Sequence, residues 1–450
     1  MIGLLGLIAG LGLLIWLALR DVNIIFASIL CALVVIVTNA LPVADSITDG
    51  YLSGNLGAFT FAGRFFLLFA AGAVFGKIMG ESHAASSIAM AMVRALGAHR
   101  ALWIAVLACA LLTYGGVVVF VVIFAMYPLG LRLMKEADIP KRLLCGALAL
   151  GAGTFTLTAF PGTPSIHNVI PTLKLGTDLF AAPLLGIFGG ALMFLLGMAY
   201  LERERVKARA NGEGFEAGPR DVIPDLNDIA HDMPPWPLAI FPLSLVIATI
   251  LAPRLLGGAE RDNAVIAFAN AQPVIWPSFA LVLASLVALV LFPAARRAPM
   301  RLLGDGTQDS IMPLMATSAV IGFGGVVAQT GGFALFTETV LGLDLPPMMS
   351  MFAAASTVSG ITGSSSGGLQ IFMATLADDF LALGIAPEEL HRLAAMASGG
   401  LDSLPHCGAV IAMLTITQLT HKQAYKDVGV VTVVVPIVAT LATILLALAV

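Results

Sequence analysis

Two polar stretches interrupt an apolar chain, and they carry the residue types that bind anions and relay protons. The first is Thr158-Ala-Phe-Pro-Gly-Thr-Pro-Ser-Ile-His-Asn-Val-Ile-Pro-Thr172 and the second is Ser398-Gly-Gly-Leu-Asp-Ser-Leu-Pro-His-Cys-Gly-Ala-Val-Ile411. In the first, Pro161 and Pro164 remove backbone donors and break a helix, while Gly162 lets the chain approach a ligand closely. The half-helix that follows begins with free backbone N–H groups and a positive dipole end, which suits a small organic anion. Thr158, Thr163, Ser165, His167 and Asn168 are the candidate side-chain contacts. The alternative is a proline kink whose hydroxyls cap their own helix.

In the second stretch, Asp402, Ser403 and His406 are ionisable or polar groups at a break inside apolar sequence, a pattern that marks an ion path or a proton relay. Asp402 and His406 lie four apart and would share a face in a helical segment, where a carboxylate and an imidazole can pass a proton near neutral pH. A buried ion pair that only locks the break is the other reading. A third segment, Thr362-Gly-Ser-Ser-Ser-Gly-Gly368, has no bulky side chain. Gly363, Ser364, Ser365 and Ser366 would present carbonyls and hydroxyls to sodium or to a substrate carboxylate, and Ser403 is a further candidate substrate contact. Small residues at a helix contact are the bland reading. The same segment matches the G-x-S-x-G nucleophile elbow, so a serine hydrolase using Ser365, His406 and Asp402 is an alternative. That elbow needs a strand feeding a helix, whereas Met348–Val358 and Leu369–Leu376 read as membrane helices.

Elements that place these groups follow from composition. Hydrophobic residues are 59% of 450 and charged residues 11%, against about 25% charged in soluble domains, so the bilayer is the solvent. Apolar windows of membrane-crossing length predict spans at Ile2–Leu19, Val22–Leu41, Phe61–Gly80, Ala182–Tyr200, Trp236–Leu256, Val274–Phe292 and Val428–Val450. Ile2–Leu19 runs through Arg20-Asp21 into the next apolar segment and is expected to remain as a span. Leu102–Leu129 is interrupted at Tyr114-Gly-Gly116, Met348–Leu376 at the serine-rich segment, and Arg142–Pro171 and His391–Thr417 at the two polar stretches. Cys31, Cys109, Cys145 and Cys407 have no paired spacing and read as packing residues, with no metal site. The net charge of −4 argues for no nucleic-acid partner.

The interruptions are ordered alike in two halves. Leu96-Gly97 pairs with Leu341-Gly342, Ile123-Phe124 with Ile371-Phe372, Ile139-Pro140 with Ala386-Pro387, Arg142-Leu143 with Arg392-Leu393, and Pro164 with Pro405. If Leu102–Leu129 and Met348–Leu376 each enter and leave on one side, most basic residues share one face, from Arg20, Arg94 and Arg100 through Arg132–Arg142 to Arg301 and Lys426. Arg64, Lys174, Arg254, Arg261 and Arg392 are left for the other. By the positive-inside rule the first face is cytoplasmic, and an odd number of crossings separates the repeats, which makes them inverted. Glu202–Pro235 reads as a solvated linker and Ala294–Asp309 as an interfacial connection. His99, His231 and His421 are assigned to loops. The expected divisions are 1–60 and 236–310 as scaffold, 61–200 and 311–450 as repeats with a hairpin and a broken helix each, and 201–235 as the cytoplasmic linker.

At Phe160-Pro-Gly-Thr-Pro-Ser-Ile-His-Asn-Val-Ile-Pro171, Ala397-Ser-Gly-Gly-Leu-Asp-Ser-Leu-Pro-His-Cys-Gly-Ala-Val-Ile411 and Leu419-Thr-His-Lys-Gln-Ala-Tyr425 the chain resembles the gluconate permease family of the ion transporter superfamily. The likeness runs over nearly the whole chain. It implies proton-linked uptake of small hydroxylated carboxylates across a bacterial inner membrane, in a homo-oligomer, with the broken helices moving against a rigid scaffold. Where gluconate carriers have His-Pro-Gly, this chain has Ala159-Phe160-Pro161-Gly162, and the Pro-Gly-Thr-Pro form resembles the subgroup associated with 3-hydroxybutyrate. The expected fold is an all-α polytopic membrane protein, an inverted-repeat elevator-type transporter. Its expected function is proton symport of an organic monocarboxylate without a cofactor, with sodium coupling as the alternative.

Overall fold

The computed structural model describes residues 2–20, 22–219, 221, 223, 233–256 and 263–449; Asp21, His231, Arg261 and part of the linker lie outside them. Every regular element among the described residues is helical. Helices α1 (Ile2–Leu19) and α2 (Ile24–Thr38) come first. A long helix α3 (Ala58–Glu81), a shorter α4 (Ala84–Leu96) and a side-by-side pair α5 (Ala101–Tyr114) and α6 (Val119–Ala137) follow. Next comes a split helix, α7 (Lys141–Gly153) and α8 (Ile166–Leu175), and then the long α9 (Pro183–Ala210).

After α10 (Trp236–Leu256), α11 (Ala264–Ala271) and α12 (Ile275–Leu291) that order returns. The long helix is α13 (Pro299–Val327), the short one α14 (Gly331–Leu341), and the pair α15 (Pro347–Thr362) and α16 (Ser365–Thr375). The split helix is α17 (Pro387–Ser398) and α18 (Gly408–Thr417), and α19 (His421–Ala449) closes the chain. Gly97 and Gly342, paired from sequence, cap the ends of α4 and α14.

Five helices, α3, α9, α10, α13 and α19, are long and apolar enough to cross a bilayer. Counting the bent pairs 264–271 with 275–291 (111°) and 387–403 with 408–417 (56°) as single spans gives up to seven. Three sequence expectations change. Val22–Leu41 shortens to the 15 residues of α2, roughly 22 Å of helix where a bilayer core needs about 30 Å. Ala40 then takes a positive φ of 52° and Pro42 begins a new segment. Val274–Phe292 begins with a sharp bend and is no lone straight span. The stretch read as an interfacial connection holds the short helix Pro293–Arg296 and, from Pro299, the start of α13, an unbroken 29-residue helix inside which positions 310 and 311 fall. Asp305 and Asp309 interrupt the apolar run that sequence reading follows; Asp309 meets Lys77 of α3 at 3.2 Å.

Ion pairs sort the charged residues into two ends. At one end Lys77 meets Asp309, Arg301 meets Glu81, Lys141 meets Asp221, and Arg142 meets Glu213 and Asp427. At the other, Lys174 pairs with Asp378 at 2.7 Å and Arg254 with Asp178 at 2.8 Å. None of these ion pairs joins the two sets drawn from charge, and one assignment changes. Arg392, counted with the outer charges, is completely buried, because one turn into α17 it meets carbonyls instead of water. The four cysteines are free and buried.

Packing divides the helices by neighbour. α3 lies along α13 and α12, and α2 also packs on α13. The split helices pack with the paired ones: α7 on α5, α8 on α16 and α17, and α15 on α17, with α9 and α19 alongside.

Candidate transport site

The first break is held by its own side chains. After α7 a single turn, Phe155–Thr158, leads into Phe160–Pro164. Gly162 has φ +82° and donates its N–H to Leu179 O at 2.9 Å. The Thr158 hydroxyl turns back to Thr154 O at 3.2 Å. Asn168 is buried and fully committed. Its Nδ2 donates to Phe160 O (3.2 Å), Thr163 O (3.2 Å) and Thr163 Oγ1 (3.1 Å), and its Oδ1 accepts from Arg392 Nη1 at 2.7 Å. Arg392 also donates to Ala159 O and Ala181 O, both at 3.1 Å, and to Leu179 O at 3.3 Å. A buried guanidinium satisfied by four carbonyl oxygens ties the two split helices together.

Ser165 caps α8, accepting from His167 N at 3.2 Å while its hydroxyl hydrogen goes to Leu157 O at 2.7 Å. His167 Nδ1 lies 3.2 Å from Ser165 Oγ, and its buried Nε2 has no partner.

The second break is a 3₁₀ turn, Leu401–Ser403, followed by extended Leu404. Asp402 is buried with no Lys or Arg paired to it among the described residues. Its Oδ1 accepts from Ser403 Oγ at 3.2 Å, and Ser365 lines the same cavity. His406 Nε2 bonds Gly360 O at 3.0 Å and makes no bond to Asp402, because the helix that would align them is broken at Leu404. His421, read as a loop residue, opens α19 and reaches back to Pro405 O at 2.9 Å. At the tip of the α15/α16 pair Gly363 has φ +58°, and Ser364 caps α16 by accepting from Gly367 N at 3.1 Å.

A cavity of about 1280 Å³ lies between these breaks. Pro164, Ser165 and His167 line it, together with Gly363, Ser364, Ser365, Ser366, Asp402, Ser403 and His406. Thr158, Gly162, Thr163 and Asn168 sit behind that wall, holding the break in shape. Four helix starts border the cavity: Val119 of α6, Ile166 of α8, Ser365 of α16 and Gly408 of α18. Each presents the positive end of a dipole and its first N–H, although Ser165 and Ser364 cap the N–H groups of His167 and Gly367, so the wall favours an anion without a cationic side chain at its centre. Lys77, Glu81 and Asp309 line the cavity where it reaches the first charged end. Sequence reading missed Thr113 and the start of α6, because Tyr114-Gly-Gly116 carries no group that is charged at neutral pH to flag it. The signal was the glycine pair itself: Gly116 has φ +93°, and a Cβ there would stand 2.7 Å from Pro164.

The sequence profile of the GntP family permeases matches residues 2–449. The chain belongs to that family. The permease is 37% identical over 464 residues to the uncharacterized transporter YxjC of Bacillus subtilis (strain 168), a match covering 95% of each protein. It is 25% identical over 379 residues to a gluconate permease of Pseudomonas aeruginosa, covering 80% of this chain and 78% of that one. A permease is a multi-pass membrane protein that moves a small solute and is not an enzyme, which removes the serine hydrolase alternative. Ser365 has a different place here, opening α16 and lining the same cavity as Asp402.

Proposed function

We propose that this permease is a secondary active symporter. It carries a small hydroxylated monocarboxylate, gluconate-like or 3-hydroxybutyrate-like, with protons across a bacterial cytoplasmic membrane. The observation that carries this reading is the convergence of four helix starts on one cavity that also holds Asp402. The helix ends bind the substrate carboxylate. Asp402 binds the coupling proton, since an unpaired carboxylate out of water costs far more ionised than neutral.

In this reading α5/α6 and α15/α16 are hairpins entering from opposite sides, and the two halves are inverted copies. The ion-pair grouping supports that arrangement, with α6 and α7 reaching the Lys141 end and α16 and α8 the Lys174 end. Basic residues concentrate at the end where the cavity reaches Lys77, so the form described is inward-facing. The split helices and hairpins move as one body, elevator fashion, against α1–α3 and α10–α13, and the protein works as a homo-oligomer. The packing of α2 and α3 on α13, and of the split helices on the paired ones, supports the division into two bodies.

Proteoliposomes loaded with a panel of hydroxy acids test the proposal. Concentrative uptake driven by an imposed proton gradient, with saturable counterflow, is the expected result; uptake that follows only a sodium gradient would replace the proton. Sodium is the second reading because Ser364, Ser365 and Ser366 line the same cavity as Asp402, a donor set suited to a hard cation. Absence of saturable uptake of every acid tested would end the carrier reading.

A further inference from the structure

Breaking a helix orphans its last carbonyls, and at membrane depth each must find a donor within the protein. The second break is such a place. Leu404 is extended, with ψ 163°, so Cys407 N, which a continuous helix would bring to Ser403 O, bonds Leu404 O at 2.8 Å instead. Two side chains of α19 supply donors to the carbonyls on either side. Tyr425 Oη donates to Ser403 O at 3.1 Å, and His421 Nε2 donates to Pro405 O at 2.9 Å. A carbonyl only accepts, so His421 carries a hydrogen on Nε2. The two residues stand one turn apart on one face of α19, with ring centroids 5.9 Å apart.

The first break is held differently, and the paired sequences show why. There Asn168 bonds Phe160 O and Thr163 O from within the broken segment. Counting on from the matched Pro164 and Pro405, the place of Asn168 falls to Ala409, whose methyl cannot hydrogen-bond. The break that carries Asp402 therefore lacks an amide of its own at that place, and α19 stands in for it. That helix is itself anchored at the charged end. Lys426 meets Glu204 of α9 at 3.1 Å, and Asp427 accepts from Tyr200 Oη of α9 at 2.7 Å and from Arg142 of α7. Asp402 and Ser403 line the transport cavity, while His421 and Tyr425 are not among the described residues that do. These two residues therefore act on the cavity through the backbone of residues 403–405.

We infer that Tyr425 and His421 are positioning residues for proton coupling: by holding Ser403 O and Pro405 O from α19, they fix the backbone that presents Asp402 to the cavity. The inference rests on the carrier reading above, with Asp402 as its proton site, and adds two residues that the sequence reading assigned to neither break. Losing one of these bonds frees the Asp402 segment without removing a group from the cavity wall, so the effect falls on the proton-driven step.

Paired measurements in proteoliposomes, proton-driven uptake against counterflow of the best-transported acid, test it. Tyr425→Phe removes one hydroxyl and should slow proton-driven uptake about fivefold, with counterflow at saturating acid changed less than about twofold. His421→Leu should do the same, and His421→Gln, which keeps an N–H donor, should restore most of the wild-type uptake. A purely structural role would lower both rates together. Equal losses in uptake and counterflow, or unchanged uptake in either folded Tyr425→Phe or folded His421→Leu, overturn the inference and leave the carrier standing. If Tyr425→Phe does not fold, the His421 pair decides. Loss in His421→Leu with rescue in His421→Gln supports the inference, and no loss or no rescue overturns it. Uptake driven by sodium alone removes the proton site and the inference with it, and no saturable uptake of any acid by the wild type ends the carrier reading as well.

Discussion

Arg392 Nη1, on the second split helix, donates a 2.7 Å hydrogen bond to Asn168 Oδ1 on the first, and both residues are buried. The bond joins the two halves of the duplicated chain at their breaks. It also spends the acceptor of an asparagine whose donors are already committed to Phe160 and Thr163.

Arg392→Lys should therefore destabilise the fold more than it alters binding. A lysine cannot reach four carbonyl oxygens in a fixed fork, and the acceptors left short cost about 2 to 4 kcal/mol together. Melting in detergent should fall by several degrees. Asn168→Ala should behave alike, with counterflow affinity changing less than about twofold. An unchanged melting temperature with a large affinity loss would return Asn168 to the ligand.

Asp402→Asn should abolish accumulation driven by a proton gradient and spare exchange of substrate. The amide keeps the shape and the Ser403 contact but takes up no proton at working pH. Paired measurements of gradient-driven uptake and counterflow separate the two effects. Undiminished accumulation would remove Asp402 from coupling.

Gly363→Ala places a methyl on a residue with φ +58° and 2.8 Å from His406 Cδ2. Strain in the left-handed region adds about 1 kcal/mol to the displacement of the ring. Counterflow affinity should drop about tenfold, with a smaller loss in Gly363→Asn, since asparagine tolerates that backbone region. Equal affinities in wild type and the alanine variant would show that the tip does not shape the site.

The linker carries a pH-sensitive contact. The Arg142 guanidinium, hydrogen-bonded at 2.7 and 2.9 Å, holds the Glu213 carboxyl below its ordinary 4.5, with burial opposing more weakly. A lowered folded-state value means that the contribution is complete above the unfolded value and lost as pH falls through the folded one. The window lies below about pH 4.5. With the Glu213 side chain 41% exposed, it amounts to less than about 1 kcal/mol. Wild type should melt slightly above Glu213→Gln at pH 7, and the gap should close on acidification below that value. A gap independent of pH would assign it to something other than this carboxylate.

The apolar composition, the two proline-rich breaks and the paired landmarks at Gly97 and Gly342 are local properties, legible because a bilayer penalises irregular backbone and polar side chains wherever they occur. Sequence alone thus determined an all-helical membrane chain with duplicated interruptions. It did not show that α13 is one helix, because Asp305 and Asp309 break the apolar run, and the Lys77 partner of Asp309 comes from another helix. Nor could it divide the polar residues of the first break between cavity wall and framework. Asn168, Thr163 and Thr158 face protein while Ser165 and His167 face the cavity, and that division depends on Arg392 arriving from more than 200 residues away in sequence. Which groups a ligand meets is decided by which hydrogen bonds the fold has already made, and those partners come together only when the two halves pack.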